Sequence, residues 1–169
     1  MKTLTSEEVE EFYVKNGYNN PLVDRSSTLL PAFYYNFELE DHTNSDFVLA
    51  NFLEIRSTSA DCGLAVIENV TIWESGVNWH LVEIVLTSCL GKEYVGNVEG
   101  IVLEYGKQDF QDIRTLIHVA MMFGWDMFLM PSDHQERVFL SHDSFFEIHS
   151  TKNMKEIANS FREHTGRNL

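Results

Sequence analysis

Residues 126–150 read DMFLMPSDHQERVFLSHDSFFEIHS, and this stretch decides the fold. Three short apolar runs, at about 126–130, 136–141 and 144–149, are separated by turn-forming residues, which predicts a meander of three strands. The second connection, at 142–143, lacks the glycine that a two-residue hairpin prefers. The pattern therefore leaves the register of that hairpin open.

Upstream of the meander, strand and helix patterns alternate along the chain. Strands are predicted at about 32–40, 64–73 and 101–105, and helices at about 6–16, at about 46–58, after Asn78 and after Asp109. After the meander, Asn153 can cap a final helix that Gly166 ends. The order αβαβαβαβββα predicts an α+β fold, a single mixed β-sheet of about six strands flanked by about five helices. With no repeat and no linker visible, residues 1–169 are predicted to form a single globular domain.

Two helices have the clearest local signals. Thr5 and Glu8 have the spacing of a capping box, and Leu4 and Val9 have that of a hydrophobic staple, so the first helix should begin directly after Thr5. The helix after Asp109 carries an apolar stripe and ends in residues that are apolar all round, which predicts a central, buried helix. The stripe consists of Ile113, Leu116, Ile117, Ala120 and Met121.

The net charge of −14 is large and unevenly placed. Residues 38–112 hold 14 of the 26 acidic residues and only 3 of the 12 Lys and Arg residues. Such a field repels phosphate backbones and anionic lipid surfaces, so no nucleic acid and no membrane is expected as a partner. It attracts a basic protein partner, although acidity for solubility alone explains the same composition.

Cysteine usage and missing motifs bound the chemistry. Cys62 and Cys89 show neither a CxxC spacing nor a zinc pattern, which is consistent with a reduced, cytoplasmic protein without a metal site. No Walker loop, GxGxxG, HExxH or GxSxG motif occurs, so no cofactor is predicted. The first residues lack an apolar signal segment, and polar residues interrupt the most apolar stretch, 116–130, which cannot span a bilayer.

Histidines and aspartates of the meander form the best candidate for a catalytic site. The candidates are His142, Asp143, Asp126 and His134. An imidazole oriented by a carboxylate is what general-base catalysis requires. Sequence neighbours point apart on an extended chain, so His142 with Asp143 is not expected to be a dyad, and Asp126 at the start of the first strand is the closer partner. The alternative interpretation is a set of solvent-exposed turn residues.

Aromatic and acidic residues form the candidate binding surface. The strand at 32–40 alternates, with Phe33, Tyr35 and Phe37 facing the core and Tyr34 and Asn36 facing outward. The binding candidates are Tyr34, Trp73 and Trp79 as aromatic anchors, with Glu68, Glu74 and Glu83 as acidic neighbours. Rigid aromatics supply contact area at low entropic cost, but the Trp rings could equally cover the edge of the core.

Three functional hypotheses remain open, of which the third is a homo-oligomeric domain, such as a homodimer, whose ligand is unknown. The first is a non-enzymatic, acidic, cytoplasmic protein-interaction module that binds a basic partner protein. In size and charge alone the chain resembles toxin-neutralising immunity proteins and secretion chaperones. The alternative is a small hydrolase-type enzyme that uses the His and Asp groups of the last three strands. A pocket at His142 would favour the enzyme, and exposed aromatics on an acidic face would favour the binding module.

Overall fold

The computed structural model of the chain describes residues 1–16, 32–37, 44–58, 60–68, 87–88, 101–133 and 135–167. These residues form an α+β structure of seven strands and four helices. In chain order the elements are β1 (Lys2–Thr3), α1 (Ser6–Asn16), β2 (Ala32–Asn36), α2 (Asn44–Ser57), β3 (Cys62–Glu68), β4 (Ile101–Gly106), α3 (Phe110–Phe123), β5 (Asp126–Pro131), β6 (Glu136–Ser141), β7 (Phe145–Ser150) and α4 (Met154–Thr165). A short 3-10 turn, Lys107–Asp109, leads into α3.

All seven strands belong to one sheet, in the order β1-β4-β3-β5-β6-β7-β2. Every strand pair is antiparallel, so the prediction of a mixed sheet is wrong. Alternating helices and strands suggest parallel crossovers, but strand direction depends on where each connection returns the chain, and β3 is antiparallel to both β4 and β5. The two-residue strand β1 carries no alternation of its own, which is why the strand count rose from about six to seven.

The predicted helix after Asn78 lies largely outside the described residues. Only residues 87–88 of it are described, and they are helical. The described part of the chain therefore contains four helices, whereas the sequence predicts about five for the whole chain. Cys89 also lies outside the described residues, and Cys62 is the first residue of β3.

Helix starts follow the local signals closely. The Thr5 amide donates to Glu8 Oε2 at 2.9 Å, and the Glu8 amide donates to Thr5 Oγ1 at 3.3 Å, which confirms the capping box. The Asn153 side chain accepts from the Lys155 amide at 2.9 Å and caps α4. Gly166 ends α4 in the left-handed conformation, with φ 66°.

The sheet has an apolar cluster on each face. The helices α2, α3 and α4 cover one face, named here the helical face, and α3 contributes the predicted stripe with Leu116 and Ile117 fully buried. On the opposite face, named here the α1 face, Leu4, Val9 and Phe12 pack against β3, β4 and β5. The buried residues of the α1-face cluster are Leu64, Val66, Val102, Phe128 and Met130. Strands β3 and β5 are thus covered on both sides, which explains their continuous apolar runs.

The amino-terminal segment is fastened to the sheet by polar contacts. The Leu4 amide donates to the Val102 carbonyl at 2.9 Å, and the Met1 ammonium donates to Asp109 Oδ1 at 2.8 Å. Burial alone would raise the pKa of Asp109, but hydrogen bonds from the Met1 ammonium, the Gly106 amide and Gln108 outweigh burial and hold that pKa below its ordinary value. The turn that starts α3 is therefore built around an ionised carboxylate.

Candidate functional site

One end of the α1 face carries a row of side chains from five adjacent strands, four of them polar. Side chains alternate along a strand, so Asp126 lies on the same face as Phe128. The register pairs Glu68 with Asp126, Ser141 with Phe145, and Phe145 with Asn36. These residues form a row across β3, β5, β6, β7 and β2, and His142 directly follows the row at the end of β6.

Next to the row, the buried carboxylate of Asp126 holds the side chain of His142 in place. Asp126 Oδ1 accepts from the His142 amide at 2.9 Å and lies 2.9 Å from His142 Nδ1. The Asp126 side chain is 4% exposed and that of His142 is 45% exposed. His142 donates to this carboxylate in the tautomer that carries its proton on Nδ1. This contact directs the other ring nitrogen, Nε2, away from Asp126.

Asp143 lies on the other side of the same imidazole. His142 Nε2 is 3.5 Å from Asp143 Oδ1, and the Asp143 side chain is 71% exposed. The expectation that these neighbours point apart is therefore wrong. It assumed an extended chain, but both residues lie in the turn between β6 and β7.

Two residues with a left-handed backbone conformation help to position Asp126 and His142. Gly124 ends α3 with φ 62°, and the chain then enters β5 directly at Asp126. The register pairs Ser141 with Phe145, so the loop between β6 and β7 spans three residues, 142–144, rather than the predicted two. The third of these residues, Ser144, has φ 61°. Three-residue hairpin loops commonly use a left-handed third position. That geometry explains how the hairpin forms without a glycine.

A strip of four aromatic rings in contact adjoins the row. We define the aromatic strip as Tyr34, Phe145, Phe139 and Phe128. Ring centroids are 5.0 Å apart for Tyr34 and Phe145, 5.9 Å for Phe145 and Phe139, and 4.5 Å for Phe139 and Phe128. The strip runs from the α1-covered centre of the sheet to β2 at its edge, where Tyr34 is 51% exposed.

Sequence reasoning singled out Tyr34 but missed Phe139 and Phe145. The alternation of β6 and β7 contained the signal, because Val138 and Phe146 are core residues and their neighbours must face the other way. The Tyr34 hydroxyl donates to Asn36 Oδ1 at 2.7 Å, which orients the ring at the edge.

Charged groups of β7 lie beside the aromatic strip. Glu147 is directly opposite Tyr34 in the register, and its side chain is 31% exposed. Its Oε2 lies 2.9 Å from Nε2 of His149, two residues along the same strand face. The outward face of β2 and β7 therefore combines aromatic surface with a carboxylate.

Five of the other sequence candidates are not among the residues that the structure describes. They are Trp73, Trp79, Glu74, Glu83 and His134. Cys62 is at the far end of β3 from Glu68, with Sγ 3.2 Å from Ser132 Oγ. It is therefore remote from His142.

Within the described part of the chain, no three His, Cys, Asp or Glu side chains are grouped so that they could hold a metal ion. None of the described helices is both long and apolar enough to cross a bilayer. Comparison of the chain with protein families, curated proteins and solved structures gives no match. The functional inference consequently depends on the residues of this chain alone.

Proposed function

We propose that this chain is a non-enzymatic protein-interaction module that binds a basic partner protein. The contact surface is the part of the aromatic strip at Tyr34 and Phe145. The observation that carries the proposal is the half-exposed Tyr34 ring at the edge of the described sheet, whose centroid lies 5.0 Å from that of Phe145 with the ring planes tilted by 33°. Tyrosine is enriched at interface centres because it presents a large rigid surface with a polar tip. Packing against Phe145 orders the Tyr34 ring before a partner arrives, which reduces the conformational entropy that binding would otherwise cost.

The charge supports a basic partner. The chain carries a net charge of −14, and the acidic side chain of Glu147 lies on the strand residue directly opposite Tyr34. A lysine or arginine next to the strip would contact both an aromatic ring face and a carboxylate. The long-range field would also speed the encounter with a basic protein.

The proposal is tested by selecting binders from a display library of proteome fragments of the source organism. We expect the enriched fragments to be basic and to lose about tenfold or more in affinity for Tyr34→Ala, as an interface anchor does when truncated. Phe47→Ala is the matched control, because Phe47 is 49% exposed but lies on α2, which covers the helical face. Enriched fragments that bind Tyr34→Ala as tightly as the wild type would contradict the proposal.

A second candidate function, hydrolysis, is favoured by the Asp126–His142 contact. A buried carboxylate at Nδ1 can orient the imidazole for general-base catalysis at Nε2, which lies 3.5 Å from the exposed Asp143 carboxylate. If His142 has that role, His142→Ala should slow cleavage of p-nitrophenyl acetate or bis(p-nitrophenyl) phosphate by about 100-fold or more. His164→Ala, a change at an exposed histidine of α4, is the control. For an interaction module we expect equal, background rates in all three proteins.

A further inference from the structure

The edge strand β2 presents an open row of backbone hydrogen-bonding groups. The Phe37 amide donates to the Ser144 carbonyl at 2.9 Å, which identifies 37 and 144 as a hydrogen-bonded pair. Such pairs alternate along an antiparallel ladder. The backbone groups of Phe33 and Tyr35 therefore face β7, and those of Tyr34 and Asn36 face away from the sheet.

Nothing in the described part of the chain pairs with these outward groups. Strand β2 is the last strand in the described order, and all its described backbone partners lie on β7 or in the turn that precedes β7. The sequence of β2, AFYYN, contains no charged residue and no proline. Natural edge strands usually carry such residues because they block the addition of a further strand. The described edge at β2 is thus competent for strand addition.

We propose that the basic partner binds as an extended segment that adds an antiparallel strand to β2 and places a Lys or Arg side chain over Tyr34. This inference depends on the proposed function and specifies how the partner is recognised. Backbone hydrogen bonds supply affinity in this mode, and alternate side chains supply specificity.

The register dictates which side chain the segment needs. Glu147, Tyr34 and the added residue opposite Tyr34 lie in one row on one face, with adjacent strands about 4.8 Å apart. A cation opposite Tyr34 can therefore lie over its ring and extend toward Glu147, about 10 Å away across two strand spacings. A neutral side chain at that position would lose both contacts.

The other face of the added strand needs apolar residues. Tyr35 is half-buried on the helical side of β2, with its ring 4.5 Å from Phe161 of α4. Residues of the added strand that flank the cation point to this side, beside Tyr35 and α4. The recognised segment therefore alternates between polar or basic residues and apolar residues.

A second copy of this chain fits the edge less well. Pairing β2 with β2 would place tyrosines and an asparagine opposite one another and supply no cation for Glu147. It would also bring together two chains of net charge −14. Charge complementarity thus favours a basic segment.

The probe for this mode is the synthetic peptide KVTVRVTVK, titrated by amide NMR shifts of the full chain. The central Arg opposite Tyr34 would exchange both backbone hydrogen bonds with it, so N-methylation at that Arg or at either Thr should weaken binding by about tenfold or more. N-methylation at a flanking Val, whose amide points away, should change affinity by less than about threefold. Equal effects at both sets of positions, or no binding of the unmethylated peptide at millimolar concentration, would overturn strand addition.

Two variants test the same edge from the protein side. Asn36→Pro removes an outward amide without removing a ladder bond, and Asn36→Ala removes the same side chain but keeps the amide. With both variants shown to be folded by thermal melting, we expect Asn36→Pro to bind the peptide about tenfold more weakly than Asn36→Ala. Equal affinities would overturn the proposal, as would a concentration-dependent dimer that Asn36→Pro abolishes.

The two proposals fail separately. Loss of the Tyr34 dependence in the fragment selection contradicts the interaction surface itself. Tyr34-dependent binders that ignore the Asn36→Pro change contradict only the strand-addition mode.

Discussion

Arg56→Met is expected to lower the free energy of unfolding by about 3–5 kcal/mol, because it leaves a buried carboxylate without its main partner. Glu136 begins β6 with a fully buried side chain, and Arg56, in the last turn of α2, contacts its Oε1 with a side chain that is 13% exposed. Lys152 Nζ at 3.1 Å and Ser150 Oγ at 3.3 Å complete the network. Chemical denaturation with an unchanged slope would measure the loss.

Two further variants decide whether the loss comes from the charge. The double variant Arg56→Met with Glu136→Leu should recover most of the stability, since an apolar pair replaces an ionic one at little cost in many buried sites. Lys107→Met removes an exposed ion pair, Lys107 Nζ to Asp61 Oδ1 at 2.7 Å, and should leave the denaturation midpoint unchanged. An Arg56→Met protein as stable as the Lys107→Met protein would mean that Lys152 alone neutralises Glu136.

Phe161→Ala is expected to cost about 3–5 kcal/mol through lost burial and a cavity. Phe161 of α4 is fully buried and its ring packs on four others, at 5.7 Å from Phe33, 4.5 Å from Tyr35, 5.3 Å from Phe52 and 6.0 Å from Phe146. It therefore joins α4 to β2, β7 and α2 in one contact. The cost should appear as a lower midpoint in thermal or denaturant melts.

The same substitution should reach the binding surface, since Phe161 supports β2 from the helical side. We expect faster hydrogen exchange of the β2 amides in Phe161→Ala than in Phe47→Ala, whose ring is half exposed. Phe161→Leu, which keeps much of the volume, should cost clearly less than Phe161→Ala. A Phe161→Ala protein with wild-type stability would mean that α4 contributes little to holding β2.

Where a signal is local, the sequence predicts the structure closely. The capping box of Thr5 and Glu8, the cap at Asn153 and the left-handed Gly166 all act within a few residues, so their chemistry is readable from spacing alone. Strand β6 was predicted at its observed bounds, Glu136–Ser141, because alternation and turn residues are also local. The bounds of β5 and β7 differ from prediction by one residue.

The candidate site, in contrast, depends on contacts between residues that are far apart in the chain. Asp126 and His142 are sixteen residues apart, and their 2.9 Å contact follows from the β5–β6 register together with a left-handed Ser144 that no residue pattern announces. The aromatic strip likewise requires Tyr34 of β2 to lie beside Phe145 of β7, more than a hundred residues away in the chain. Sequence alternation could place each ring on a face, but not next to another ring.

By itself the sequence determined the α+β class, the meander and the capped ends of α1 and α4, because the signals for these elements lie between residues that are close together in the chain. It also determined the acidic character, because net charge depends on composition alone. The tertiary structure alone decided that the sheet is antiparallel, that β2 is an edge and that Glu147 lies opposite Tyr34. Strand order and direction depend on which pairings bury the most apolar surface across the whole chain. Phe161 is an example, because its ring is buried only when α4 packs against β2, β7 and α2 together. That balance is a property of long-range packing and has no local sequence signature.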